Sequence, residues 1–451
     1  MTLSIIKRKA LFFLFITAFC VLTPYIILYA SGYQLDWKHP FSPLMVQKTG
    51  MTIVYSEPSG ANIYLNEKKQ KYLNLSLFRK DTSLKTPTKI KNLLPGSYDL
   101  RVEMPGYWSW SRRINVYSGQ ITHVLDVELF RKDLPILVAN GVTENLYPSP
   151  NLKKVLINNG ATLLDLKTEE SEKITASSAS AIWSDDSSKF ILGQEIINPK
   201  DKNKDLSLEK IIGSQISNLK WATGNSNEVF YSYKKTLNNF KLDNKTNTII
   251  ADNEDILDYL PEKNDVFYIA QNGFSAKLKI YSLADKKIKK EIELPPSDGY
   301  VFLKNENGLL NLYDSKYKIS YLVDPSSADK PLIEIINDAK YFQWFNDKTL
   351  FYANDSEIWL LNMETQNRRL LLRWSEPLKG IIKTKNDNYV FFYTDNSLKV
   401  LSWDKGDEKL QVTEFLKLEK IQSPFLNENE STLYFSGKIG NQEGLYKLNL
   451  K

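Results

Sequence analysis

YFQWFNDKTLFYANDSEIWLLNMETQNRRLLLRW, residues 341–374, is the stretch on which the fold turns. An apolar run carrying Trp344 ends in the polar triplet Asn346, Asp347, Lys348. A second run, Leu350 to Ala353, ends at Asn354 and Asp355; Ile358 to Met363 and Leu370 to Trp374 follow. Each run is about strand length, and the breaks carry residues that accept turn geometry and bond their own backbone. The stretch therefore reads as one small antiparallel sheet of three or four strands.

Weaker copies recur at roughly 35–45 residues, a spacing typical of propeller blades. Units begin near Leu146, Ala181, Leu219, Leu257, Val301, Tyr341, Gly380 and Ser423. Their turns include Ser149-Pro150-Asn151, Ser184-Asp185-Asp186, Gly224-Asn225-Ser226, Glu262-Lys263-Asn264, Lys304-Asn305-Glu306 and Asn427-Glu428-Asn429. A single blade cannot bury both faces, so such units are expected to close into a ring. About eight blades are expected over residues 135–451, with seven as the alternative. The last unit has three strands, and a lone apolar strand from Pro135 to Ala139 precedes the first. Pairing the two would complete a blade and hide two open edges.

Bulk composition agrees with a β-rich globular chain. Of 451 residues 42% are hydrophobic, 25% charged and 12% aromatic, which leaves no room for a long disordered tract. The net charge of +6 arises from 59 basic and 53 acidic residues that are interspersed, not a nucleic-acid footprint. One cysteine, Cys20, forbids an intrachain disulfide, and two histidines, His39 and His123, exclude sites needing several imidazoles.

The N-terminus has a different logic. Lys7, Arg8 and Lys9 precede an uncharged run from Ala10 to about Ala30, near the length that crosses hydrocarbon. The basic flank holds residues 1–9 in the cytoplasm and sends the remainder outside. Residues 10–31 are thus expected to be a single-pass anchor, with Trp37 near the outer interface and Pro24 tolerated as a kink. A cleaved signal peptide is the rival reading. It needs small residues at the cleavage site, and Leu28-Tyr29-Ala30 puts a bulky residue there.

Residues 50–130 alternate instead. Thr52–Tyr55, Asn62–Leu65, Tyr98–Glu103, Arg113–Tyr117 and His123–Leu129 read as half-buried strands of a small antiparallel β-sandwich. Pro58, Gly60, Ala61, Thr86, Pro87, Leu94, Pro95, Gly96, Gly106 and Tyr107 follow the order of turns in the PEGA domain, and the segment resembles that family. Ser59 departs from the glutamate of the name-giving motif. An insertion, Glu67 to Lys85, carries Lys68, Lys69, Lys71, Arg79 and Lys80 as a basic loop. The resemblance implies an extracytoplasmic module near the envelope that contacts surface polymers or proteins; it does not imply an enzyme. Tyr107, Trp108 and Trp110 are the candidate ligand-contact aromatics. The competing reading is packing, because Trp108 and Trp110 lie on one side of a strand. Arg112 and Arg113 read as a solvated strand end, and Arg131 to Pro135 as a linker.

AIWSDDSSKFIL, residues 181–192, resembles the blade turn of TolB-like and WD40-like propellers, with Asp185 and Ser187 in place of the usual Pro and Gly. That resemblance implies a fold and carries no reaction. No serine-hydrolase elbow with a later histidine, P-loop or dinucleotide fingerprint is present. Asp185, Asp186, Asp347 and Asp387 fall in blade turns, where carboxylates ordinarily cap backbone. Asp201–Asp205 lacks the glycine and terminal glutamate of a calcium loop. No catalytic residue, metal ligand or cofactor is expected. The expectation is a non-catalytic, membrane-anchored extracytoplasmic scaffold that presents a propeller to an envelope protein or cell-wall polymer. The alternative is a glycan-acting hydrolase with paired carboxylates in the propeller funnel.

Overall fold

A computed structural model describes residues 5–35, 46–71, 83–142, 145–174, 180–201, 205–213, 216–303, 308–382, 384–385, 388–403 and 410–451. The readings of Trp37, His39, Arg79, Lys80, residues 202–204, residues 304–306 and Asp387 fall outside the described residues. The chain divides into two compact units, one built mainly of residues 1–133 and the other mainly of residues 134–450.

The first unit begins with helix α1 (Ile5–Ala30). Its apolar side chains find no protein to cover them: Phe13 is 68% exposed and Leu14 70%. Apolar residues occupy every side of the helix, so no single face is marked for burial. Lys7–Ala30 is long and apolar enough to cross a membrane. The helix ends at Gly32, whose positive φ of 80° follows hydrogen bonds from Ser31 N to Ile27 O and from Gly32 N to Tyr29 O.

A short hairpin, β1 (Tyr33–Leu35) and β2 (Val46–Lys48), leads into the sandwich. Its strands are β3 (Gly50–Glu57), β4 (Asn62–Leu65), β5 (Lys68–Lys69), β6 (Thr88–Leu93), β7 (Gly96–Glu103), β8 (Trp110–Val116) and β9 (Ile121–Glu128). One sheet runs β6-β3-β9 and the other β5-β4-β7-β8. Val54, Ile63, Ile90, Leu100, Val102, Trp110, Ile114 and Val124 meet between them in one core. Alternation thus gave the strands their inward faces. The sandwich is not wholly antiparallel, however: β3 and β9 run parallel, with Met51 opposite Ile121 and Val54 opposite Val124. Strand β6 is an addition to the sequence reading. In Thr-Lys-Ile-Lys-Asn-Leu only Ile90 is fully buried while both lysines face solvent, so its apolar signal is thin.

The second unit contains eight four-stranded sheets among the described residues. Seven are formed by consecutive strands: blades 1 to 7 span 147–173, 181–207, 216–251, 255–294, 300–337, 341–373 and 380–417. Blade 8 takes three strands from 420–449, and its fourth is β10 (Ile136–Asn140). Strand β10 lies antiparallel to Gln442–Asn449, with Ile136 opposite Lys447 and Asn140 opposite Gly444. This is the closure expected from the unpaired ends of the repeat. It is tightly fitted: a Cβ on Gly444 would lie 2.5 Å from the carbonyl oxygen of Ala139.

Apolar cores sit between neighbouring blades. Phe230 and Leu237 of blade 3 pack with Tyr259 and Tyr268 of blade 4. Phe267 and Leu278 of blade 4 meet Tyr300 and Leu312 of blade 5. Val155 and Leu164 of blade 1 meet Phe425 and Tyr434 of blade 8. The second strand of blade 6, Thr349–Ala353, is buried at all five residues because both of its faces are covered. That is the physical origin of the near-continuous Leu, Phe and Tyr runs in the repeat.

Candidate functional site

Antiparallel order within each blade sends two kinds of turn to opposite ends of the propeller. The turns joining the first two strands share one end. The hairpins between second and third strands, with the connections into each next blade, share the other.

At the first end, polar turn residues bind blade to blade. Ser184 Oγ donates to Lys189 O, and Asp186 Oδ1 accepts from Ser188 N at 2.9 Å. Asp186 Oδ2 accepts from Ser226 of blade 3 at 2.8 Å, and Asp185 Oδ2 from Gly224 N at 2.8 Å. Burial would raise the Asp186 carboxyl, but hydrogen bonds from Ser184, Ser188 and Ser226 outweigh it and hold the group well below the usual carboxylate range. The tryptophans before these turns also reach back one blade: Trp183 Nε1 donates to Tyr147 O and Trp221 Nε1 to Ile182 O, both at 2.9 Å. In blade 6, Asn346 Oδ1 caps the backbone of Lys348. A cleft of about 770 Å³ where blades 8 and 1 meet is lined by Leu152, Lys153, Asp165, Lys167, Lys385 and Glu428.

On the first strands of the blades, the described carboxylates are Asp255 and Asp258. Asp258 is buried and accepts from Lys220 Nζ at 2.6 Å, Asn218 Nδ2 at 2.9 Å and Phe302 N at 2.8 Å, tying blades 3, 4 and 5 together. Asp255 pairs with Lys235 at 2.9 Å. Each carboxylate therefore answers to a lysine, and no group of three or more His, Cys, Asp or Glu suited to a metal occurs among the described residues. In blade 7 Lys399 Nζ and Ser397 Oγ are hydrogen-bonded, but each residue is only 1% exposed, so no substrate reaches that pair.

The second end carries a different set of contacts. Blades 5 to 8 each carry an ion pair between a residue just before the first strand and one at or just past the end of the second: Asp298–Lys316 at 2.9 Å, Lys340–Asp355 at 2.8 Å, Lys379–Asp395 at 3.1 Å and Glu419–Lys438 at 3.0 Å. The hydrogen bond from Lys316 lowers Asp298, while Asp355 raises Lys340 and Glu419 raises Lys438. Two exposed aromatics lie on hairpins of the same end. Phe274 is 93% exposed at the tip of the blade 4 hairpin, and Tyr317 is exposed beside Lys316. Phe274 follows Gly273, whose φ of 62° fits the first position of a two-residue hairpin loop. Of these residues the sequence reading named Asp355 alone, as part of a turn. The Asn-Gly at 272–273 followed by a large apolar residue was the available signal.

In the sandwich the three candidate aromatics separate. Trp110 is buried in the core with the Arg112 guanidinium 4.8 Å from its ring. Tyr107 packs at the core's edge, and its backbone bridges to Arg131. Trp108 lies before β8, half-buried, with its N–H bonded to Phe130 O and Lys132 Nζ 4.9 Å from its ring. Arg112 is not merely a solvated strand end, since it also pairs with Asp126 at 3.2 Å.

Residues 76–131 match the PEGA domain family. Among solved structures, the propeller of Dos1 is similar at 11% identity, with 71% of this chain and 96% of that one covered and a TM-score of 0.50. A eukaryotic initiation factor gives 11%, 68%, 85% and 0.50. The C-terminal WD40 domain of Sif2 gives 11%, 70%, 98% and 0.48. The chain thus joins a segment that matches the PEGA domain to a β-propeller. At these identities the propeller likeness speaks for fold alone. The match to the PEGA domain begins after β4, so the Pro58–Ala61 turn lies outside it although the strand that follows sits within the sandwich. No curated protein matches the chain.

Proposed function

We propose that this protein is a membrane-anchored extracytoplasmic scaffold whose propeller binds a protein or an envelope polymer. The observation that carries the reading is α1. A helix that is apolar on every side and uncovered by its own chain is suited to lipid. Lys7, Arg8 and Lys9 favour a cytoplasmic N-terminus. A rigid propeller then offers loops for recognition. We assign the contact to the end bearing Phe274 and Tyr317, since exposed aromatics are enriched at protein-binding surfaces. On the PEGA domain, Tyr107 and Trp108 are the proposed ligand contacts, with Trp110 supporting them from the core.

Fractionation with external protease tests this. The full-length chain is expected in the membrane fraction, with a C-terminal tag lost to protease and an N-terminal tag protected. A soluble mature chain starting near residue 30 would instead make the helix a signal peptide, and a protected C-terminus would overturn the topology. Crosslinking from a label at Asn272, an exposed neighbour of Phe274, should capture a discrete partner that Phe274→Ser loses.

A further inference from the structure

The end of α1 is clamped to one end of the sandwich. Thr49 donates both its N–H, at 2.8 Å, and its hydroxyl, at 2.9 Å, to the carbonyl of Gly32. Thr49 O in turn accepts Gly119 N at 3.1 Å, and Met51 N donates to Gln120 O at 3.0 Å. Gly50, between them, has no space for a side chain: a Cβ would lie 2.5 Å from Tyr117 O. Three consecutive residues thus bind the helix terminus to the turn between β8 and β9. The turn between β6 and β7 shares this end, because Leu93 pairs with Gly50 and Gly96 with Val116.

This end has a particular chemistry. Tyr117 is 58% exposed and Ile121 is exposed beside it, and Tyr29 and Tyr33 are exposed at the helix terminus. Lys48 and Lys91 are exposed, and the segments 46–51, 91–98 and 115–122 contain no Asp or Glu. Tyrosines at a helix end, basic side chains and an absence of carboxylates are the features of a membrane–water interface.

We propose that the β8–β9 end of the PEGA domain rests in the phosphate-bearing headgroup layer, with Tyr117 and Ile121 in the interface and Lys48 and Lys91 on phosphates. This rests on the membrane reading of α1 given above. The domain then sits on the bilayer and not on a flexible stalk.

Full-length protein with Cys20→Ser, and a nitroxide at either Gln120→Cys or Ser59→Cys, tests it in phosphatidylcholine–phosphatidylglycerol vesicles. Ser59 lies in the turn after β3, at the opposite end of that strand from Gly50. The label at 120 is expected to be at least ~3-fold less accessible to a water-soluble nickel chelate than the label at 59, as interfacial burial requires. Combining Tyr117→Asp with Lys48→Glu and Lys91→Glu, all at exposed positions, should abolish that difference while the protein still floats with the vesicles. Equal accessibility in the unmodified surface, with flotation intact, overturns the proposal and leaves the anchor standing. Failure to float overturns the anchor and the proposal together.

Discussion

Two groups of polar contacts, one centred on blades 1 to 3 and one at the second end of blades 5 to 8, work in opposite ways, although blades 5 to 8 also have contacts that cross, such as Arg368 to Glu334 at 2.6 Å. In the first group the polar contacts cross from blade to blade: Trp221 to Ile182, Asp186 to Ser226 and Lys220 to Asp258. In the second group the four ion pairs of the second end each stay within one blade. Contacts that cross a boundary hold the ring together. Contacts that do not cross add little to closure, and they leave their residues available at the surface.

Stability measurements can break this contrast. Trp221→Ala removes a buried indole shared by two blades and should cost about 3–5 kcal/mol in chemical denaturation, as large aromatic truncations do. Lys220→Met strands the buried Asp258 carboxylate and should cost about 3 kcal/mol, with much of that recovered by adding Asp258→Leu. Gly444→Ala, which forces the backbone of β10 aside, should cost about 1–3 kcal/mol. Lys340→Gln, at a pair open to solvent, should cost only about 0.5 kcal/mol. Four comparable losses would end the distinction.

Titration sharpens it. Asp186 has a folded value below its unfolded one near 3.9, so its contribution is complete above about pH 4 and is lost as the pH falls toward the folded value. Asp186→Asn should therefore flatten the acid limb of the stability curve, by less than full linkage because the carboxylate is open to water. Lys340 has a raised folded value, so its pairing persists below the unfolded value of about 10.4 and weakens as the pH rises through the folded one. An alkaline effect abolished by Lys340→Gln, with no matching change in acid, would separate the two groups.

Much of this architecture was legible because blade faces demand it. Leu350 to Ala353 had to be apolar throughout, and Asn346 and Asn354 had to cap turns, so their spacing announced the blade. The closing strand was legible for a related reason, since an apolar run without a partner implies one. The direction of β9 was not: alternation reports which residues face inward, and it is the same for parallel and antiparallel neighbours. The pairings of the second end escaped notice because partners such as Lys340 and Asp355 occupy separate loops and become neighbours only when the hairpin folds. Among the aromatics, identity alone could not divide Trp110 from Trp108; the start of β8 between them does so.

The seam between β10 and the final strand has a consequence for biogenesis. Asn140 must find Gly444, roughly 300 residues later in the chain, and pairings so distant are slow to form. At ordinary synthesis rates β10 emerges on the order of 15–60 s before its neighbour exists. Throughout that interval an unsatisfied strand is on offer to any other nascent chain. A chaperone that shields Ile136–Asn140, or rapid translation of the last blade, would govern how much of this protein matures without tangling with its siblings.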